Sequence, residues 1–129
     1  MKKNKFQVSL AILPLILMSH KTFSCDIENV FKGKLELEII SHKDLGYESA
    51  IIKQGDMSAI VGEITPATGW DIKNTAGEVI GSITKDLIVV GQDDDCKSGK
   101  TKLKQVAKNK YQIIENKVSI GEIQGRLPK

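Results

Sequence analysis

Residues 59–64 read "AIVGEI", and the same pattern returns as "VIGSI" at 79–83 and "SIGEI" at 119–123. Glycine is a poor strand residue, because it has no side chain to pack and loses the most backbone freedom on ordering. Three glycines inside short β-branched runs therefore need a structural reason. Folding each run back over the turn before it brings Tyr47 toward Gly62, Trp70 toward Gly81 and Tyr111 toward Gly121. These are the chain's two tyrosines and its one tryptophan. A ring lying over a strand glycine covers exposed backbone and fills the missing volume. In the middle pair, the register that sets Trp70 opposite Gly81 also puts Ile72, Val79 and Ile83 on one face. The expectation is three related hairpins, each running from an aromatic residue through a β-branched strand and a turn to the glycine run.

The surrounding pattern extends this reading. Apolar residues alternate, or form short β-branched runs, at 34–40, 49–52, 58–64, 69–72, 78–83, 86–90, 111–114 and 118–123. Their lengths and compositions are those of strands, with turn residues at Gln54-Gly55-Asp56, Asn74-Thr75-Ala76-Gly77 and Glu115-Asn116-Lys117 between them. The predicted fold is all-β: an antiparallel meander of about eight strands forming a small barrel or sandwich. One short helix is expected within "DIENVFKG" at 26–33, where Ile27, Val30 and Phe31 fall at helical spacing and Gly33 ends the run. Residues 99–110, with Leu103 and Val106 three apart, suit either a helical turn or an irregular edge strand.

The N-terminus reads as a secretory signal. "MKKNKFQ" is basic, "VSLAILPLILM" is apolar and too short to span a bilayer, and "SHKTFS" is polar, which places a cleavage site after Ser24. Residues 25–129 then form a single domain, periplasmic or secreted, with no transmembrane segment left after cleavage. Four of the 19 basic residues (Lys2, Lys3, Lys5 and Lys21) go with the signal, leaving 15 against 16 acidic ones. The formal charge of +3 thus becomes −1, and net charge gives no support to nucleic-acid binding. Cys25 and Cys96, the only cysteines, are expected to form a disulfide in an oxidising compartment. Closing a loop of that length is worth roughly 4 kcal/mol in the chain-entropy picture. The alternative makes Cys25 a lipid-anchored first residue, but Thr22 and Phe23 depart from the usual lipoprotein signal.

The residues offer little chemistry. After cleavage His42 is the only histidine, and the consecutive residues Ser41-His42-Lys43-Asp44 cannot converge into a catalytic triad. One histidine and two oxidised cysteines cannot supply a usual zinc site, and "SGKT" at 98–101 lacks the rest of a phosphate-binding loop, so no metal or cofactor is expected. Glu36 and Glu38 fall on the strand face opposite Leu35, Leu37 and Ile39, as a solvated face requires. Asp93, Asp94 and Asp95 stand beside Cys96 without the spacing of a calcium loop. They are followed by lysines 97, 100, 102, 104, 108 and 110, with no acid between Lys97 and Ile114. This segregated patch, with Asp93, Asp94, Asp95, Lys97, Lys100, Lys102 and Lys104 as its candidate contact residues, suits an oppositely patterned protein surface in the cell envelope.

The functional expectation is a small exported protein, not an enzyme, that acts by protein–protein contact. An inhibitor or immunity protein against an envelope-acting enzyme or toxin fits this description. The alternatives are an accessory part of a surface, secretion or conjugation apparatus and, less favoured, a carboxylate-dependent glycan hydrolase using Glu63 and Glu122.

Overall fold

The computed structural model describes residues 26–92 and 101–129. Cys25, Cys96, Asp93, Asp94, Asp95, Lys97, Lys100 and the signal region lie outside the described residues. A short helix, α1 (Asp26–Val30), precedes nine strands: β1 (Gly33–His42), β2 (Tyr47–Gln54), β3 (Ala59–Pro66), β4 (Trp70–Lys73), β5 (Val79–Ile83), β6 (Ile88–Gly91), β7 (Thr101–Ala107), β8 (Lys110–Glu115) and β9 (Val118–Gln124). The strands form one closed barrel in chain order. Each consecutive pair is antiparallel, and β1 closes against β9 in parallel, Gly33 facing Gly121 and Glu36 facing Gln124. The sheet is therefore mixed. Direction reverses at every turn, so an odd number of strands must end running the same way as it began. The ninth strand, β7, was ambiguous in the sequence because only Leu103 of its side chains is buried.

The register corrects the expected aromatic-over-glycine arrangement. Gly62 pairs with Ile52, Gly81 with Ile72 and Gly121 with Ile113. Trp70 and Tyr111 stand two residues further along, opposite Ile83 and Ile123. Tyr47 is not near Gly62 in register: it pairs with His42 of β1, and Ala50 takes the corresponding place opposite Ile64. A register shift beside each glycine, between Ile52 and Lys53, Ile72 and Lys73, and Ile113 and Ile114, supplies one residue of the displacement, and the position of each turn supplies the rest. The extra residue of each bulge is the one before the glycine: Val61, Ile80 or Ile120. Bulges break the alternation of faces, so these residues pack on the core together with the isoleucine three positions on. Val79, expected inside, is accordingly exposed, and Ile80 is buried in its place.

The glycines themselves are required by the neighbouring strand on the other side. A Cβ built on Gly81 would lie 2.6 Å from the Val90 carbonyl oxygen of β6, and one on Gly62 or Gly121 would run into the carbonyl of Lys73 or Gly33. No rotamer relieves a clash between a Cβ and backbone. The interior formed in this way is filled: Ile52, Ile64, Ile72, Ile113 and Ile123 have no exposed surface and Ile83 has 1%. Filling is what a small barrel achieves when its inward residues are bulky and branched.

Both ends are covered. The helix α1 lies at the end where β2 finishes, contributing Ile27, Val30 and Phe31 to the core. The Gln54 side-chain amide of β2 donates to the Asn29 and Val30 carbonyls at 3.2 Å, satisfying groups that a helix terminus leaves open. At the opposite end Leu127 and Pro128 are buried after β9. Gly81→Ala is expected to cost about 2 kcal/mol, a fall in Tm of roughly 10 °C, against little change for Ser82→Ala. Thermal unfolding of the two variants checks this.

Candidate functional site

Two surfaces carry the polar side chains that the fold gathers. The first is the end opposite α1. After β9 the chain turns at Gly125, at φ 116°, and runs as a tail over that end of the barrel. Arg126 meets Glu48 of β2 with both fork nitrogens, Nη1 to Oε1 at 2.9 Å and Nη2 to Oε2 at 3.0 Å. The Lys129 amide donates to Glu48 Oε1 at 3.0 Å, while the Glu48 amide donates to the Lys129 carbonyl at 3.2 Å. The Trp70 indole N–H donates to the Pro128 carbonyl at 2.8 Å. Such paired, charge-assisted bonds are geometrically demanding. The Arg126 fork above all, and the Lys129 amide next, hold the Glu48 carboxyl down at about 2.

Sequence reasoning missed this site, and one signal was available. Arg126 is the only arginine among 19 basic residues. A chain that otherwise uses lysine has little reason to place a single guanidinium unless its two-pronged geometry matters.

His42 ends β1 at the same end. Its ring stacks on Tyr47 at 4.5 Å between centroids, and its Nε2 lies 3.0 Å from Ser49 Oγ. The neighbours Ser41, Lys43 and Asp44 do not join it, as their sequence order implied. Ser49 was not anticipated as the partner, and it is 1% exposed. An oxygen so enclosed offers no approach to a substrate, so the pair ties β1 to β2.

The second surface is the β7–β8 hairpin. Lys102 and Lys104 are exposed and share the outer face of β7, while Leu103 points inward. Lys108 is exposed in the connecting turn, and Lys110 lies 3.8 Å from Glu122. These are the described part of the predicted lysine patch.

The carboxylates do not converge. Glu36 and Glu38 are exposed on β1, alternating with buried Leu35 and Leu37, and Glu38 is bridged to Lys53. Glu63 and Glu122 lie three strands apart around a closed sheet, roughly 14 Å measured along its surface by strand spacing, and do not face one another across a cleft as glycoside hydrolysis requires. Among the described residues no group of three or more His, Cys, Asp or Glu side chains is placed to hold a metal, and no helix is long and apolar enough to cross a membrane.

The molecule is thus a small closed barrel with a filled interior, a tail strapped by an arginine–carboxylate fork, and a lysine-bearing hairpin. The chain matches no protein-family model, no curated protein and no solved structure.

The strap makes two predictions. A carboxylate whose folded pKa is depressed stabilises above its unfolded value near 4.5, and the stability is lost as pH falls toward 2. Glu48→Gln should therefore lower Tm at pH 6, and the difference from the unmodified protein should shrink steadily between pH 5 and pH 2. A difference independent of pH would contradict the assignment. Deleting residues 127–129 should shift Trp70 emission to the red, since the indole loses its Pro128 acceptor and cover. Steady-state fluorescence reads this directly, because Trp70 is the only tryptophan.

Proposed function

We propose that the chain is a small exported binding protein that acts by contact with another protein of the cell envelope, as an inhibitor or immunity protein does. The observation that carries this reading is the distribution of polar groups around the filled barrel. The interior is closed by isoleucines and both ends are covered, so recognition falls to the outer surface. On that surface the β7–β8 hairpin presents Lys102, Lys104 and Lys108, none of them in an ion pair among the described residues. An unneutralised set of like charges raises the encounter rate with an opposite surface and discriminates against wrong partners.

The same reading takes residues 1–24 as a cleaved signal and Cys25–Cys96 as a disulfide holding the mature N-terminus to the β6–β7 connection. It takes the barrel as an antiparallel meander built from three related glycine hairpins, β2–β3, β4–β5 and β8–β9. An accessory role in a surface or secretion apparatus would use the same hairpin.

Affinity capture from a solubilised envelope fraction of the source cell tests the proposal. The unmodified protein should retain a protein in near-stoichiometric amount, and Lys102→Glu/Lys104→Glu should reduce its recovery by about tenfold. Recovery unaffected by the reversal would reject the lysine surface, and retention of no protein would reject the contact function.

A further inference from the structure

The β6–β7 seam differs from every other antiparallel seam of the barrel. Only Ile88 with Lys102 and Val89 with Thr101 are in register, while β7 continues to Ala107. The last link across it is the Leu103 amide donating to the Leu87 carbonyl at 2.8 Å. At Leu87 the chain, at φ 68°, has already turned back toward β5. Among the described residues no strand pairs with that side of β7 beyond Leu103.

Backbone groups alternate sides along a strand, so the side that Leu103 presents to β6 is presented again by Gln105. On its other side Gln105 stands opposite Tyr111 of β8. Its amide and carbonyl are therefore directed at the edge that no described strand covers. Gln105, Val106 and Ala107 are all exposed, Val106 at 44%. An open strand edge recruits another strand, and natural proteins commonly guard it with lysine.

We propose that the Lys104–Ala107 edge of β7 binds an acidic segment of a partner protein as an added antiparallel strand. The proposal rests on the protein-contact reading above and names where and how the contact is made. Two observations select the occupant. Lys102 and Lys104 stand on the outer face beside the open edge and Lys108 stands at its end, so a second copy of the same edge would bring lysine against lysine. A strand carrying glutamate or aspartate at alternate positions meets them with opposite charge instead. On the β5–β6 turn, Lys85 and Asp86 are adjacent and of opposite sign. The added strand would obtain its affinity from main-chain bonds to Gln105 and its specificity from the lysines, the division of labour usual in strand addition.

The test uses the purified mature protein and three capped eight-residue peptides: alternating Glu-Val, alternating Lys-Val, and Glu-Val with alternate backbone nitrogens methylated. Hydrogen exchange followed by NMR reads the Gln105 amide. The Glu-Val peptide should slow that exchange at least about fivefold, and the other two should leave it unchanged. Gln105→Pro, which removes the donor at an edge position that tolerates proline, should abolish peptide binding. Lys102→Glu/Lys104→Glu should weaken it about tenfold, with Trp70 emission confirming that each variant is folded.

Several results would overturn the proposal: no binding of the Glu-Val peptide, equal binding of the methylated or lysine peptide, or binding without slowing at Gln105. Slowing at Gln105 that grows with protein concentration in the absence of peptide would also overturn it, since the occupant would then be a second copy. These outcomes are independent of the capture experiment. A partner retained through Lys102 and Lys104 while the Gln105 amide stays unprotected leaves the contact function standing and removes only the strand-addition mechanism.

Discussion

The barrel depends on three places where one strand's backbone passes too close to its neighbour for any side chain to intervene. Gly62 lies against the Lys73 carbonyl of β4, Gly81 against the Val90 carbonyl of β6, and Gly121 against the Gly33 carbonyl of β1. Glycines and bulges help a twisted sheet curve into a closed cylinder, and here the neighbouring strand's carbonyl occupies the place of the missing side chain. A methyl group at these positions holds the strands apart. The third contact is also the seam at which β1 and β9 meet, so loss of that approach opens the cylinder where it is joined in parallel.

The bulge beside each glycine supplies the other half of the corner. It inserts Val61, Ile80 or Ile120, which raises the local twist and turns a second apolar side chain toward the core. A regular strand would have sent that residue outward. Three corners therefore contribute both curvature and packing volume, and the enclosed isoleucines are the result. The β6–β7 pair keeps only two residues in register. The β7–β8 hairpin belongs to this exceptional seam, which is also where Lys102, Lys104 and Lys108 collect, none of them in an ion pair among the described residues.

How much of this was legible in the sequence follows from the same physics. Eight of the nine strands announce themselves, because β-branched runs bounded by Gly, Asn and Asp have few other solutions, and Ile27, Val30 and Phe31 announce the helix. The glycine motif was recognised, but the residues opposite its glycines are Ile52, Ile72 and Ile113, two positions from Trp70 and Tyr111 and five from Tyr47. Simple period-two folding keeps register across a hairpin, whereas each bulge shifts it by one and moves Val79 out and Ile80 in. A bulge leaves no mark in a single sequence except the motif it produces. β7 was ambiguous because Lys102, Lys104 and Gln105 give it the composition of a solvated segment, and its pairing, chiefly to β8, makes it a strand. The tail was invisible because Glu48 and Arg126 are 78 positions apart. No local pattern connects them, and only the rarity of arginine in this chain marks the place.

The tail and the corners are parts of one solution to an odd number of strands. β9 runs parallel to β1 and, ending at Gln124, pairs with only the first few residues of that strand, Gly33 to Glu36. The rest of β1, from Leu37 to His42, has β2 on one side and no ninth strand on the other. Gly125 turns the chain beside Leu37, and the tail crosses this gap to reach Glu48 of β2 and Trp70 of β4. A lysine at 126 would carry the same charge but could not grip both carboxylate oxygens while Lys129 returns its amide to one of them. The lone arginine is thus explained by the topology: parallel closure leaves an opening at one end, and a two-pronged contact is what holds the last five residues across it.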